Sequence, residues 1–555
     1  MFGLLPAALG LAPALLGPQQ LAAPGVAAPV RPRPGPFTEE FRFKAAPRLS
    51  SAGAAPPPAP GAPVAVAIDA RRVQRMILPT LFGTNLGVWT GDNDTLGPVL
   101  EQRLREVQVP LLRFPGGNLA NRYHWNGIYP PHAVSQGWDN MSQPWAVDTA
   151  EFLTLCEALD AQPLMTVNHG FHEYGSSATD GSLDAAVQLA ADWVEYCNAP
   201  ADGSNPGGGT DWAAVRAAEG RVEPWGVKYW EVGNEIYGAW TVGNEEADGA
   251  VYGVQYNAFH DAMKSVDPSI HLGICGHVGD AEARVWTGQV LSTPGTGERI
   301  DFIDVHDYFH WIGNSLENDL SFQQCLELVD QVGEDRQQLD QLVALHTQRA
   351  PGEVRYYMGE FNITNPTSYH TNELGNALVV TEVLGELVRN GFHGASYWLA
   401  LHSWNSAGGD MAYLARNHPT VPDHTPYPNY YPFWFFTRNF GDREVLASSS
   451  SPEVAVYASR FADGPLGVIL VNETGSARSA SIALSGFQTS GPLNAWVLTG
   501  ADPSATAVRL NGVAAPHSHG GPQPELVPPY FLDVGQGQTV HIDLPPWSVT
   551  SLVIR

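Results

Sequence analysis

The stretch VKYWEVGNEIYGAW, residues 227–240, decides how the rest of the chain is read. Its first half is an apolar run with the look of a strand buried on both faces. The run then stops at Asn234-Glu235, two groups that a core has no use for. Strands buried on both faces belong to parallel sheets covered by helices. The stretch therefore predicts companions, and seven other runs answer: LFGTNLGVW (81–89), VPLLRF (109–114), PLMTVNHG (163–170), IHLGICGH (270–277), DFIDVHDYF (301–309), VRYYMGEF (354–361) and GASYWLAL (394–401). Helical patterns lie between them. In LDAAVQLAADWVEYCN (183–198), Leu183, Val187, Leu189, Ala190, Trp193, Val194 and Cys197 recur at helical spacings. Eight strand–helix units over residues 80–444 predict a (β/α)8 TIM barrel. That span exceeds the roughly 250 residues usual for the fold, so some loops carry insertions. NAPADGSNPGGGTD (198–211) reads as one of them.

Outside this span the texture changes. From residue 445 to 555 short alternating runs such as VAVYASRFA and LGVILVNET are punctuated by Gly, Pro, Ser and Asn. They predict an antiparallel β-sandwich. The alternating VAVAIDA, within 64–79, reads as a strand that joins the sandwich from the other end of the chain. Residues 31–63 are rich in Pro and Ala and read as an extended linker. Residues 1–30 are apolar and resemble a signal peptide, which predicts a secreted or periplasmic protein. No Lys or Arg precedes the apolar part, and a cytoplasmic protein with a disordered leader is the rival. Pro6 and Pro13 break the run, and it is too short to span a bilayer, so no membrane partner is expected.

The formal charge is −28 and only three lysines occur. So acidic a surface repels phosphate backbones, which argues against nucleic acid and suits a neutral substrate. The four cysteines, Cys156, Cys197, Cys275 and Cys325, show no metal-type spacing and read as buried thiols, with a Cys156–Cys197 bridge as the alternative. The pair His517 and His519 invites a metal reading but has no third ligand in view, and a loop is expected there.

Active groups of a (β/α)8 barrel sit at the C-terminal ends of its strands. Read in that way, the second predicted strand offers Arg113 and, just beyond it, Asn118; the third offers Asn168 and His169. The fourth offers Asn234 and Glu235; the sixth His306, Asp307 and Tyr308; the seventh Glu360 and Asn362; the eighth Trp398, followed by His402 and Trp404. Glu235 and Glu360 stand three units apart, on strands that face each other across the mouth. A carboxyl on each side of one bond is what glycoside hydrolysis requires: one protonates the leaving oxygen, the other attacks or activates water. Glu235 is the candidate acid/base and Glu360 the candidate nucleophile. Arg113 and Tyr308 are placed to keep Glu360 ionised, and Asn234 to hold the hydroxyl beside the reacting carbon. Asn118, Asn168, His306 and Trp398 complete the expected substrate-binding set. No metal or organic cofactor is needed for this chemistry. Duller readings stay open: Arg113 as a structural ion-pair partner, Pro115-Gly116-Gly117 as an ordinary turn, Trp398 as core, and Glu231 as an acid paired lower in the barrel.

LLRFPGGNLANRYHWNGIYPP (111–131) and VKYWEVGNE, with DWVEYCN (192–198) and the closing LPPWSVTSLVIR (544–555), resemble the α-L-arabinofuranosidases of glycoside hydrolase family 51. The resemblance covers roughly residues 64–555. It implies a clan A retaining hydrolase with the acid/base at Asn234-Glu235, the nucleophile at Glu360 in YMGEFN and the strand-2 arginine at Arg113, acting on carbohydrate. Two departures line the sugar pocket. The nucleophile stands in GEF rather than DEW, and GASYWLALHSW (394–404) is more like other members of the clan. β-Xylosidase, endoglucanase and glucuronidase activities are the rivals within the class. A non-catalytic carbohydrate-binding or scaffold protein is the rival outside it. The sequence leaves the oligomeric state open.

Overall fold

The computed structural model describes residues 34–50, 53–90, 97–126, 146–170, 181–241, 248–309, 320–350, 352–363, 369–405 and 409–555. The stretch resembling a signal peptide lies outside them. Among the described residues no helix is long and apolar enough to cross a membrane.

Eight parallel strands close into a barrel: β2 (Gly83–Asn85), β3 (Leu111–Phe114), β4 (Gln162–Val167), β5 (Tyr229–Val232), β6 (His271–Gly276), β7 (Phe302–Asp307), β8 (Arg355–Phe361) and β9 (Gly394–Tyr397). These are the eight predicted strands, in order. β5 shows why so apolar a run suits the fold. Trp230 faces the helix Leu183–Asn198 and meets Trp193 edge-on at 5.7 Å. Tyr229 and Glu231 alternate with it and face the barrel interior, as the period of two requires. Tyr229 belongs to a basal aromatic layer with Phe302 and Tyr357, and Glu231 to the charged layer above it.

The basal layer is closed by a segment that reads as linker in the sequence. Phe37 is fully buried and stacks on Tyr229 at 4.7 Å and on Tyr357 at 5.4 Å. Lys228 reaches Glu40 at 2.8 Å, and His271 reaches Glu39 at the same distance. Residues 34–50 are thus packed beneath the barrel rather than tethering it. The deciding signal, FTEEFRF, is small and surrounded by Pro and Ala.

The rest of the β-structure forms one curled eleven-stranded sheet: β1 (Ala62–Met76), β10 (Arg443–Ser449), β11 (Val454–Arg460), β12 (Leu466–Asn472), β13 (Arg478–Ser485), β14 (Thr489–Thr499), β15 (Arg509–Leu510), β16 (Val513–Ala514), β17 (Tyr530–Gly537), β18 (Thr539–Leu544) and β19 (Ser548–Ile554). All its pairings are antiparallel except β1 with β13. β1 lies between β10 and β13 and so makes the early strand an integral member of the C-terminal sheet. Val64, Val66 and Ile68 join Val468, Leu470, Ile482 and Leu552 in its inner core. The other face of β12 and β19, through Ile469, Val471, Val549 and Val553, is continuous with the barrel core. LGVILVN, read from the sequence as an alternating run, is instead buried along its whole length, and burial on both faces explains why it is apolar almost throughout.

One polar pair spans this junction. Glu382, on the helix Leu374–Asn390, meets Glu473, which follows β12. Burial, then the neighbouring Glu473, pushes the Glu382 carboxyl well above its ordinary value. Burial likewise raises Glu473. All four cysteines are buried free thiols.

Candidate active site

Arg113, fully buried at the end of β3, organises the mouth. Its Nε donates to Glu231 at 3.0 Å. Its Nη1 donates to Asn85 at 3.1 Å and to Glu360 at 3.0 Å, and its Nη2 donates to Asn234 at 2.9 Å. Asp304 lies 3.6 Å from Nε. Burial penalises the guanidinium charge, but Glu231, Asp304 and Glu360 outweigh it and keep the group firmly cationic. Glu231 pairs inside the barrel. Burial lifts its carboxyl to about 8 against the pull of Arg113.

A β-bulge aims the nucleophile candidate. Along β7 and β8 the register runs Val305 to Met358 and then His306 to Glu360, which leaves Gly359 unpaired. The extra residue turns Glu360 into the mouth beside His306. Gly359 has to be glycine, because a Cβ would collide with the Asp304 carboxylate, which also accepts the Gly359 N–H at 2.6 Å. Glu235 is aimed by a different device. It follows Gly233 (φ 75°) and itself sits at φ 49°, a left-handed conformation that a side chain rarely adopts. Asn121 pins this turn by accepting the Asn234 N–H at 2.9 Å and donating to the Asn234 carbonyl at 2.7 Å.

One oxygen of Glu235, one of Glu360 and a ring nitrogen of His306 lie within 4.8 Å of one another. His306 Nδ1 is 2.9 Å from Glu235 Oε1 and 3.7 Å from Glu360 Oε2. Tyr308 donates to Glu360 Oε2 at 2.6 Å. Tyr237 and Trp240 donate to Glu235 Oε1 and Oε2 at 3.3 and 2.8 Å.

The charges fall differently from the sequence expectation. Burial opposes the ionised form of Glu235, but hydrogen bonding and charge from His306, then Trp240 and Tyr237, bring it down to about 2. Burial raises Glu360 above the ordinary carboxyl value, although His306 and Arg113 resist. Burial disfavours the His306 cation, yet Glu360, Asp304 and Glu235 hold its pKa well above that of a free histidine. These shifts place the mobile proton on His306, one hydrogen bond from the acid candidate.

The other predicted residues divide. Asn118 is exposed at the rim and accepts from Asn234 Nδ2 at 3.3 Å. Asn168 is buried and donates to the Tyr123 carbonyl at 3.3 Å, and its Oδ1 has no hydrogen-bond partner among the described residues. Trp398 is half-buried, edge-on to Trp89 at 6.0 Å. Gly116 and Gly117, at φ 85° and 57°, lay the loop after β3 against it; a Cβ on Gly117 would come within 2.7 Å of the indole. His169 turns away from the mouth to Gln255, at 2.9 Å. Asp307 also turns away, pairing with Asp335 of the helix Gln331–His346. His519 of the HSH stretch packs on His418 with ring centroids 4.5 Å apart. Sequence reasoning missed Asn85, Asn121, Tyr237, Trp240 and Asp304. The first four are ordinary polar or aromatic residues in loops or at a strand end, and only Asp304, an acid inside an apolar strand, carried a visible signal.

Two triplets, Glu231–Asp304–His306 and Glu235–His306–Glu360, have the spacing of metal ligands. The buried Arg113 already supplies the cation in this layer. A separate cavity of about 320 Å³ near the N-terminal end of the barrel, lined by residues including Phe43, Lys44 and Asp442, shares no residue with the mouth.

Residues 103–315 match the alpha-L-arabinofuranosidase 1 domain. The intracellular exo-alpha-(1->5)-L-arabinofuranosidase 1 of Bacillus subtilis (strain 168) is 33% identical over 237 residues, 41% of this chain and 42% of that protein. Alpha-L-arabinofuranosidase C of Emericella nidulans is 32% identical over 223 residues, 39% of this chain and 40% of its own length. The chain thus spans about two-fifths of the length of the curated relatives it matches. The family 51 arabinofuranosidase of Xanthomonas axonopodis pv. citri has the same fold, with a TM-score of 0.67 and 20% identity over 89% of this chain and 100% of that one. The likeness to α-L-arabinofuranosidases therefore holds in sequence over about two-fifths of the chain, and the likeness to a family 51 enzyme in fold over most of it.

Proposed function

We propose that the protein is a retaining α-L-arabinofuranosidase that removes arabinofuranose from carbohydrate by double displacement. The observation that carries this reading is the approach of Glu235 and Glu360 to within 4.8 Å, oxygen to oxygen, over one mouth. That separation fits the roughly 5–5.5 Å of retaining enzymes and leaves no room for the water that an inverting pair needs.

In the first step a Glu360 oxygen attacks the anomeric carbon while Glu235 protonates the departing oxygen. The C–O bond breaks and its electron pair leaves with the aglycone. Arg113 and Tyr308 hold the attacking carboxylate in place. Asn234, fixed through its Oδ1 by Arg113, presents its Nδ2 to the sugar hydroxyl beside the reacting carbon. The proton comes from the His306–Glu235 pair. Binding of a neutral sugar over Glu360 strips water from the pair, and the uncharged arrangement, Glu235 protonated and His306 neutral, gains on the charged one. In the second step Glu235 takes a proton from water, which attacks the glycosyl-enzyme and frees Glu360.

A panel of nitrophenyl α-L-arabinofuranoside, β-xyloside and β-glucoside tests the reading. Turnover is expected on the arabinofuranoside. Turnover on another glycoside alone would reassign the sugar. Turnover on none, with glycan binding unchanged in Glu235→Ala, would favour a non-catalytic binder.

A further inference from the structure

The two oxygens of Glu235 are held unequally. Oε1 faces inward to His306 and Tyr237. Oε2 takes the indole N–H of Trp240, and that ring is 57% exposed, the reverse of the usual fate of a large aromatic. The contact is built into the backbone. The indole lies flat on Gly238, where a Cβ would collide with the ring atoms between its two cycles. An indole nitrogen can only donate. Its bond therefore uses a lone pair of Oε2, favours the ionised carboxylate and competes with a proton on that oxygen. While Trp240 holds Oε2, protonation of that oxygen is disfavoured and delivery of a proton through it is slowed.

We propose that Trp240 is a positioning residue that couples leaving-group binding to arming of the acid: it clamps Oε2 of Glu235 in the empty site, and a leaving sugar that stacks on its exposed face draws the indole off, so that the glycosidic oxygen takes the place of the N–H. The ligand class is a pyranose or furanose ring at the leaving-group position, since flat apolar sugar faces stack on indole while their hydroxyls stay in water. A small alkyl leaving group has no such face and gains nothing from the ring. This inference rests on the proposed glycosidase reading of the site.

The test uses the full chain and compares Trp240→Phe, Trp240→Ala and Gly238→Ala with wild type on an arabino-oligosaccharide and on methyl α-L-arabinofuranoside. Trp240→Phe keeps a ring but loses the N–H, so kcat/KM on the methyl glycoside, which cannot draw the indole off, is expected to rise at least threefold while that on the oligosaccharide stays within twofold. Gly238→Ala keeps the tryptophan but pushes it off the backbone, and the same rise on the methyl glycoside is expected. Trp240→Ala is expected to raise KM for the oligosaccharide at least tenfold and to leave KM for the methyl glycoside within twofold. No rise of kcat/KM on the methyl glycoside in either Trp240→Phe or Gly238→Ala, or an equal rise of KM on both substrates in Trp240→Ala, overturns the inference while leaving the active site intact. A wild type inactive on every glycoside of the panel removes the reading of the whole site, and the inference with it.

Discussion

Two clusters of buried acids in this molecule meet the same electrostatic problem in opposite ways. At the mouth, Glu231, Asp304, Glu235 and Glu360 converge on Arg113 and His306, two buried cations. At the junction of barrel and sheet, Glu382 faces Glu473 and Glu386, and the counter-charge that acts on it, Arg389, is paired with Glu386. At the mouth Glu235 keeps its charge, because His306, Trp240 and Tyr237 stabilise it more than burial opposes it, while burial still raises Glu231 and Glu360 against the pull of Arg113 and His306. At the junction the charge is relieved instead by a proton that Glu382 and Glu473 share, because Arg389 is engaged by Glu386 and offsets burial there only weakly. Buried carboxyls therefore mark chemistry only where the surroundings also hold the charge in a chosen place.

Removing charge at the mouth and at the junction should have opposite effects. Glu360→Ala should lower turnover by roughly 10⁴-fold or more while the fold persists, as loss of a group acting in a concerted unit does. Steady-state rates and a thermal melt check both halves. Arg113→Met leaves three buried acids without their cation and should cost about 3–5 kcal/mol of stability, the usual penalty for orphaning a buried charge. Chemical denaturation measures it, and a loss under about 1 kcal/mol would mean that the mouth acids are solvated.

His306→Gln keeps a donor near Glu235 but removes the titrating proton. Its kcat should fall by about 10²-fold. In wild type the His306 proton is retained until the pH passes its raised pKa, so activity should be lost only above the ordinary histidine range. In the variant the alkaline limb should move down toward the carboxyl range, and an unmoved limb would take His306 out of proton supply.

The smallest effect is expected at the junction. The folded chain keeps the Glu382–Glu473 proton at pH values where the unfolded chain has lost it. Stability therefore falls as pH rises from the ordinary glutamate value toward the raised one. Glu382→Gln should remove that slope and gain on the order of 1 kcal/mol at pH 8. The same change at the mouth, Glu360→Gln, should give no comparable gain, because Arg113 loses a partner there.

The barrel was legible because each strand is an apolar run that ends in polar residues, and the sheet because its runs alternate. Glu235 and Glu360 were legible as pairs of strand ends on facing strands. What the sequence hid is local geometry. The bulge at Gly359 and the left-handed turn at Glu235 leave no periodic trace, yet they aim both carboxyls. Trp240 read as one aromatic among many, because its role lies in a single N–H direction. Phe37 was lost in a Pro/Ala-rich stretch, since one buried ring cannot make a pattern. The placement of the proton on His306 rather than on Glu235 depends on distances between three strands, and no spacing along the chain encodes it.

The decisive experiment is to trap the glycosyl-enzyme. Incubation with a 2-deoxy-2-fluoro arabinofuranosyl inactivator bearing a good leaving group, followed by peptide mass spectrometry, should place one sugar on the peptide containing Glu360 and none on that containing Glu235. Release of an inverted sugar from natural substrate with no adduct formed, or an adduct on any other carboxyl, would contradict the pairing of Glu235 and Glu360 across one glycosidic bond.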